Sequence, residues 1–421
     1  MRLMRSLGIV LVLAAWFELA LPADAIQIVV DYRYDTQNFF NVSTTNGPKA
    51  RATVEAAANW LSTIIDDTLS AIPFTDPNPP APQFFPVWRQ VFQHPGTGQS
   101  SYAVSSAANA SVDGLTVVHG SPPANEFRDI QIPANQLLVY VGGSSLSSAL
   151  GQSSTGFGSY GSDSFNANVA QRGKPTSEYA SWGGSVTFDN DAATNWNFDY
   201  LTEPTAGKSD LYSVALHEIG HLLGLSSNNS AFNAWKFGAE FRGPQALAAW
   251  KREDPSAPSS ATGIPLVSSS DRHWKDNAPT PTSAPSVSSF RVGTTMLQEA
   301  AMDPNILTGS RKLFTDVDTY ALRDVGWTIP NSVFAIPGDF NGDGDVDGGD
   351  LAYWSTWYGI NANGDADGDG DTDGDDFLGW QRNFTGSLPF AAAAAVPEPS
   401  TLILLACAML ISWRRRPAQA G

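Results

Sequence analysis

Two histidines and a glutamate within five residues, His217-Glu218-Ile219-Gly220-His221, carry the most specific chemistry in this chain. On an α-helix, residues four apart leave the same face, so both imidazoles can reach one metal ion. Imidazole nitrogen suits zinc, and Glu218 stands beside the pair, placed to take a proton from a water that the metal activates. The competing reading is a surface helix that carries two histidines by coincidence, and the neighbours oppose it. Leu211, Val214, Ala215, Leu222 and Leu223 make the helix a buried one. Buried His and Glu need partners, which a metal supplies. The run predicts zinc hydrolase chemistry.

The elements that must position this helix are legible as periodicities. Residues 26–34 read as an opening strand rich in Ile, Val and Tyr. Residues 50–72 space Ala57, Leu61, Ile64, Ile65 and Leu69 as a helix would. Short apolar runs at 136–142 and 183–189 read as strands, the second just upstream of the metal helix. Strands ahead of such a helix predict an α+β domain with a mixed sheet, spanning residues 26–330. Residues 253–291, rich in Ser, Pro, Ala and Thr, read as a long surface excursion, which a compact domain rarely carries without a functional reason. Residues 315–326 return to helix, with Thr315 and Asp318 spaced as a capping box.

With Gly224 ending the helix, His-Glu-x-x-His-x-x-Gly resembles the metzincin group of zinc endopeptidases. Most of that group place a third His three residues after the glycine, where this chain has Ser227, and a hydroxyl is not a usual zinc ligand. His94 and His119 lie upstream, whereas His273, in Asp-Arg-His-Trp, lies downstream within the excursion. Leishmanolysin-type metzincins put their third His after a large insertion, and that resemblance implies His217, His221 and His273 as the zinc set. Another third ligand, or a degenerate two-His site, are the alternatives. Residues 300–304 and 309–312 resemble the Met-turn segment, which implies Met302 as an apolar floor beneath the ligands; an ordinary core Met predicts nearly the same packing. Residues 313–327 resemble the closing helix of matrixin-like domains.

The resemblance implies a zinc-dependent endopeptidase in which Glu218 is the general base and a protein or peptide is the substrate. Peptidases of this type hold substrate as an added strand on a sheet edge, for which 183–189 is the candidate. The competing class is a non-catalytic surface or matrix-binding protein with a degenerate protease domain. Ser227 favours it, and the intact Glu218 opposes it. Hydrolysis of a non-peptide substrate would keep the site and change the cleft. Matrixin latency through a prosegment cysteine is excluded, because no cysteine precedes the helix.

A second module follows a linker at 331–337. Asp339, Asn341, Asp343, Asp345, Asp347 and Asp350 occupy loop positions 1, 3, 5, 7, 9 and 12, with Gly344 at the sharp turn. Asp365, Asp367, Asp369, Asp371, Asp373 and Asp376 repeat the layout 26 residues later, with Gly370 at the turn. Calcium takes six to eight oxygens in a pliable ring, which this spacing supplies. Asp in place of the usual final Glu, and one apolar helix after each loop, resemble dockerin modules. The resemblance implies a small all-α calcium module at 338–386 and a cohesin-like or matrix partner. Dockerins contact cohesins through loop positions 10 and 11, held here by Gly348-Gly349 and Gly374-Asp375, so a calcium-stiffened spacer is an equal reading.

Charge and the chain ends set the compartment. The formal net charge of −18 excludes nucleic acid as partner, since nothing could neutralise a phosphate backbone. Arg2 and Arg5, then an apolar stretch, then Ala23-Asp24-Ala25 read as a secretory signal cleaved after Ala25, over residues 1–25. The one cysteine, Cys407, lies in the apolar tail, so stability must come from a core and from metal rather than from disulfides. After a linker at 387–395, residues 396–416 run Val-Pro-Glu-Pro-Ser-Thr, an apolar helix too short for a stable span, and Arg414-Arg415-Arg416. They resemble the bacterial PEP-CTERM sorting signal. That implies export, transient anchoring in the inner membrane with the arginines cytoplasmic, and processing by an exosortase-type enzyme. The destination would be the cell surface, outer membrane or extracellular matrix of a bacterium.

Overall fold

A computed structural model describes residues 26–72, 91–98, 100–102, 111–112, 115–116, 131–156, 171–268, 270–276, 286–342, 345–367 and 369–385. The expected signal segment, His119, Asp343, Gly344 and the expected tail helix lie outside the described residues. Among the described residues no helix is long and apolar enough to cross a membrane. The chain divides into two compact units between Phe334 and Ala335.

The first unit is built on a four-stranded mixed sheet. Its strands are β1 (Gln27–Asp31), β2 (Gln136–Ser144), β3 (Gly151–Thr155) and β4 (Gly183–Asp189), in the order β1-β2-β4-β3. β1 runs parallel to β2 with Ile28 opposite Leu137, and β2 parallel to β4 with Val141 opposite Val186. β3 runs antiparallel to β4, Gly151 opposite Phe188, and forms one edge. The apolar run of β2 suits a central parallel strand covered on both faces. All seven residues of β4 are buried too, because it lies between β2 and β3. Residues 183–189 are therefore an interior strand and not the substrate edge expected of them; the sheet's edges are β1 and β3.

Helix α1 (Gly47–Thr63) opens with Pro48 in its first turn, where the missing N–H costs nothing. It buries Ala50, Val54, Ala57 and Leu61 in the core that also takes Val139, Val186 and the helix α2 (Leu211–Leu222), which carries the His-Glu-x-x-His run. The helix ends nine residues short of the expected position 72. Beyond the β-branched pair Ile64-Ile65, the backbone finds partners in other segments: Asp66 N–H donates to Thr328, Ser70 N–H to Arg172, and Ile72 pairs with Ile132. Ile65, Leu69 and Ile72 stay buried, so their apolar spacing reflects core contact and not helix.

The excursion 253–291 also departs from its composition. Ile264, Leu266, Trp274 and Val287 are buried members of the main core, although residues 277–285 lie outside the described set. Few residues there are apolar; these four face inward, while Val267 is exposed. The segment follows α3 (Pro244–Glu253) and leads into the hairpin β5 (Ser288–Phe290) and β6 (Leu297–Glu299). Helix α4 (Asp316–Asp324), capped at Thr315 through Asp318 as expected, closes the unit.

The second unit contains α5 (Gly348–Trp357) and α6 (Gly374–Asn383), each following one acidic loop. Asp347 and Asp373 cap them, and Asp350 and Asp376 return hydrogen bonds to the cap N–H groups. The 26-residue repeat is reciprocal in space. Trp354 donates its indole N–H to Asp373 O, and Trp380 donates to Asp347 O. Gly359 N–H bonds Thr372 O, and Thr385 N–H bonds Val346 O. Gly370 takes φ +97°, the left-handed turn that its place in the loop requires.

One buried pair in the first unit is electrostatically costly. Asp316 at the start of α4 is 6% exposed, with Oδ1 unpartnered among the described residues. Burial, then the charge of Glu253, raise its pKa to about 8. A raised carboxylate pKa means that folding favours the protonated form. Stability from this group is full below the unfolded value near 4 and is lost as pH rises towards 8. Asp316→Asn should therefore stabilise the protein at pH 8–9 by a few kcal/mol and leave it unchanged at pH 4, read from denaturant unfolding at both pH values.

Candidate metal centre

Helix α2 is pinned at both ends. At its start Asp210 accepts from Ser213 N–H and Oγ–H, and Arg311 grips the same carboxylate through Nε and Nη2, both at 2.9 Å. At its end Gly224 takes φ +107°, open to glycine at little cost, and the chain folds back so that Leu225 N–H reaches Gly220 O. Tyr179 Oη donates to Leu222 O and Trp327 Nε1 to Leu223 O, satisfying carbonyls that the helix end leaves open.

Three imidazoles meet on this helix face. His217, His221 and His273 each offer a ring nitrogen, and these lie within 4.8 Å of one another. His221 Nε2 and His273 Nε2 are 3.1 Å apart although 52 residues separate them in sequence. Each ring is oriented through its other nitrogen. His217 Nδ1 lies 2.8 Å from Ala301 O, His221 Nδ1 2.6 Å from Leu225 O, and His273 Nδ1 2.7 Å from Asp271 Oδ1. Carbonyl oxygens only accept, so His217 and His221 carry their proton on Nδ1 and turn the Nε2 lone pair inward. Burial holds His217 near pKa 3, His221 well below the usual range and His273 below it, so all three are neutral donors at neutral pH.

Glu218 faces the same cavity, a space of about 600 Å³ lined by Gly151, Val214, the three histidines, Arg272, Asp303 and Lys312 among others. It is 5% exposed and Oε2 has no hydrogen-bond partner among the described residues. Burial raises its pKa to about 7, against the opposing pull of Ser153 and Arg272. Three inward lone pairs and an orphaned carboxylate oxygen form a donor set that fits a zinc ion and a water.

The segment beneath is held by α4. Met302 is fully buried, and its sulfur would lie 2.7 Å from a Cβ built on Gly220, between the two helix histidines. Asp318 accepts from Ala301 N–H and Met302 N–H, and also from the indole of Trp274, the residue after His273.

Other positions that the sequence offers stand apart from this cluster. Ser227 gives only its carbonyl to Asn233, and His94 sits in a turn where Nδ1 accepts from Gly96 N–H. Among the acidic-loop residues, Asp365, Asp367 and Asp376, and again Asp371, Asp373 and Asp376, bring carboxylate oxygens within 4.8 Å. Asp350 accepts from Asn341 N–H as Asp376 does from Asp367 N–H, while Gly342 N–H bonds Asp339. Asp369 accepts from Asp371 N–H. Asp345 is described but enters no such group. Four residues at the site escape the motif: Gly151, Asp271, Arg272 and, in its second role, Asp318. For Asp271 a signal existed, a carboxylate two residues before a candidate ligand.

Comparison with known families agrees with this geometry at the domain level. The matrixin family model matches residues 155–235, which contain His217, Glu218 and His221 but not His273 or Met302. The PEP-CTERM protein-sorting motif matches residues 395–416. No curated protein and no solved structure matches the chain. The matrixin match supports a metallopeptidase, and the sorting motif indicates an exported, surface-directed protein.

Glu218 depends on a glycine that the motif does not contain. A Cβ on Gly151, the first residue of β3, would lie 2.7 Å from Glu218 Oε1 and 2.8 Å from its Cγ. Gly151→Ala should displace the carboxylate while leaving the three histidines in place. A displacement of about 1 Å in such a group costs on the order of 100-fold in rate. The expected outcome is a loss of that size in kcat with stoichiometric zinc retained by metal analysis.

Proposed function

We propose that this chain is an exported zinc-dependent endopeptidase. His217, His221 and His273 hold the metal, and Glu218 is the general base. The observation that carries the reading is the arrival of His273 beside the helix pair, with its Nδ1 held by Asp271. When bound, zinc supplies Lewis acidity that makes water nucleophilic near neutral pH and polarises a substrate carbonyl. Glu218 takes the proton of the attacking water and returns it to the leaving nitrogen, a task suited to a carboxylate whose pKa stands near 7. The antiparallel edge strand β3, which starts against Glu218, is the rail on which an extended peptide adds as a further strand. Met302 is the apolar floor that keeps the helix face in place.

The acidic module is read as a calcium-stiffened unit. Its support is the in-register repeat of Asp339, Asn341, Asp343, Asp345, Asp347 and Asp350 as Asp365 to Asp376, with the reciprocal tryptophan bonds. A spacer role fits better than cohesin docking, given glycine at three of the four contact positions. The tail at 396–416 is the substrate of an exosortase-type enzyme at the inner membrane, and its removal frees the protein for the bacterial surface or matrix.

Glu218→Gln should keep one zinc per chain and abolish hydrolysis of unstructured casein, because the base is lost and no ligand is. His273→Ala should weaken zinc by more than the 10–100-fold typical of losing an outer-shell partner, measured by chelator competition. A two-His site would leave that affinity unchanged.

Calcium removal gives an independent check. Each loop gathers several carboxylates, and without cations their repulsion opposes compaction. Helices as short as α5 and α6 are not stable alone in water. A calcium-selective chelator should melt the helical signal of residues 338–386 and leave casein hydrolysis within about 2-fold of its starting rate.

A further inference from the structure

Arg272 stands in the metal cavity without a counter-charge. Its Nε lies 3.3 Å from His221 Nε2, the lone pair that the metal would take. Among the described residues no carboxylate pairs with its guanidinium: Asp271, next in the chain, spends its Oδ1 on the Arg272 and His273 N–H groups and on His273 Nδ1. Its charge is felt by His217, Glu218, His221 and His273 alike. A cation beside a divalent metal weakens metal binding, so its place there calls for a compensating anion. Among the described residues none forms an ion pair with it: Glu218 feels its charge without reaching ion-pair distance, and Asp303 is taken by Lys312. An oxygen that gains negative charge during a reaction in this cavity would supply the missing partner.

Resting on the zinc-peptidase reading, we propose that Arg272 is a catalytic residue that donates hydrogen bonds to the scissile carbonyl oxygen as that oxygen gains negative charge. The oxygen of water bonds to the carbonyl carbon, the π pair moves onto the carbonyl oxygen, and the water's proton passes to Glu218. Collapse returns that pair, breaks the C–N bond and sends the proton from Glu218 to the leaving nitrogen. Arg272 transfers no proton; it donates more strongly to the charged oxygen than to the neutral carbonyl, which is what accelerates a reaction. A bound metal would take the His221 lone pair in place of its Nε–H, and Arg272 lines the cavity beside His273.

The test uses the full chain and Arg272→Ala and Arg272→Lys variants, with zinc affinity measured by chelator competition on metal-free protein. Arg272→Ala should bind zinc about 10-fold more tightly, because a competing donor and a positive charge are gone, while Arg272→Lys, which keeps the charge, should gain less. A peptide phosphinate, a tetrahedral anion, should bind Arg272→Ala about 100-fold more weakly than wild type, with a similar loss in kcat. The uncleaved peptide, measured in the Glu218→Gln background, should bind within about 2-fold with or without Arg272. Arg272→Lys should recover part of the phosphinate affinity, and it keeps the test open if the alanine variant fails to fold. Unchanged phosphinate or zinc affinity would overturn the proposal, as would equal losses for phosphinate and peptide, which would make Arg272 a ground-state binding residue. A wild-type chain that neither binds zinc nor cleaves casein would instead refute the peptidase reading itself.

Discussion

The carboxylate of Asp318 is the interaction on which the site depends. It is fully buried and accepts from five donors: the N–H groups of Ala301, Met302 and Thr315, the hydroxyl of Thr315 and the indole of Trp274. A buried carboxylate is tolerable only with such saturation, and each bond to it is charge-assisted. Through those bonds one side chain on α4 ties together segments that reach the three-histidine cluster by separate routes. Ala301 offers the carbonyl that aims His217, Met302 packs on Gly220, and Trp274 anchors the chain directly after His273. Thr315 links all of this to the start of a helix whose apolar face, Val317, Ala321 and Leu322, is buried in the main core.

Three separate devices aim the three imidazoles. His217 is held by a main-chain carbonyl in the segment that Asp318 organises, and His221 by the Leu225 carbonyl, brought back by the left-handed Gly224. His273 is held by a carboxylate two residues before it on its own loop. In each case the bond on Nδ1 fixes the tautomer, so that Nε2 presents its lone pair without a protonation step. Burial reinforces this by keeping the rings neutral and pushes Glu218 the other way, towards holding a proton near pH 7. One desolvated cavity thus acts on the rings and on Glu218 in opposite senses.

The edge strand adds a positional constraint. β3 begins at Gly151, where the absence of a side chain lets Glu218 and Val214 of α2 approach the backbone closely. The same closeness puts the start of this edge strand next to Glu218. The interior strand β4, although nearer in sequence to α2, is paired on both sides.

What the sequence determined by itself was local. The four-residue spacing of His217 and His221, the buried face of α2, the Thr315–Asp318 cap and the 26-residue repeat of the acidic loops all depend on short separations, where backbone geometry alone sets which side chains meet. The apolar spacing at 64–72 was misleading because burial, not helix, imposed it, and the polar composition of 253–291 hid the few residues that enter the core. Tertiary structure decided the rest. It turned β4 into an interior strand, brought a histidine 52 residues away to 3.1 Å from His221, and gave Asp318 donors from three segments. The physical reason is that long-range approach depends on which buried polar groups find partners when the core closes, and no local spacing encodes that choice.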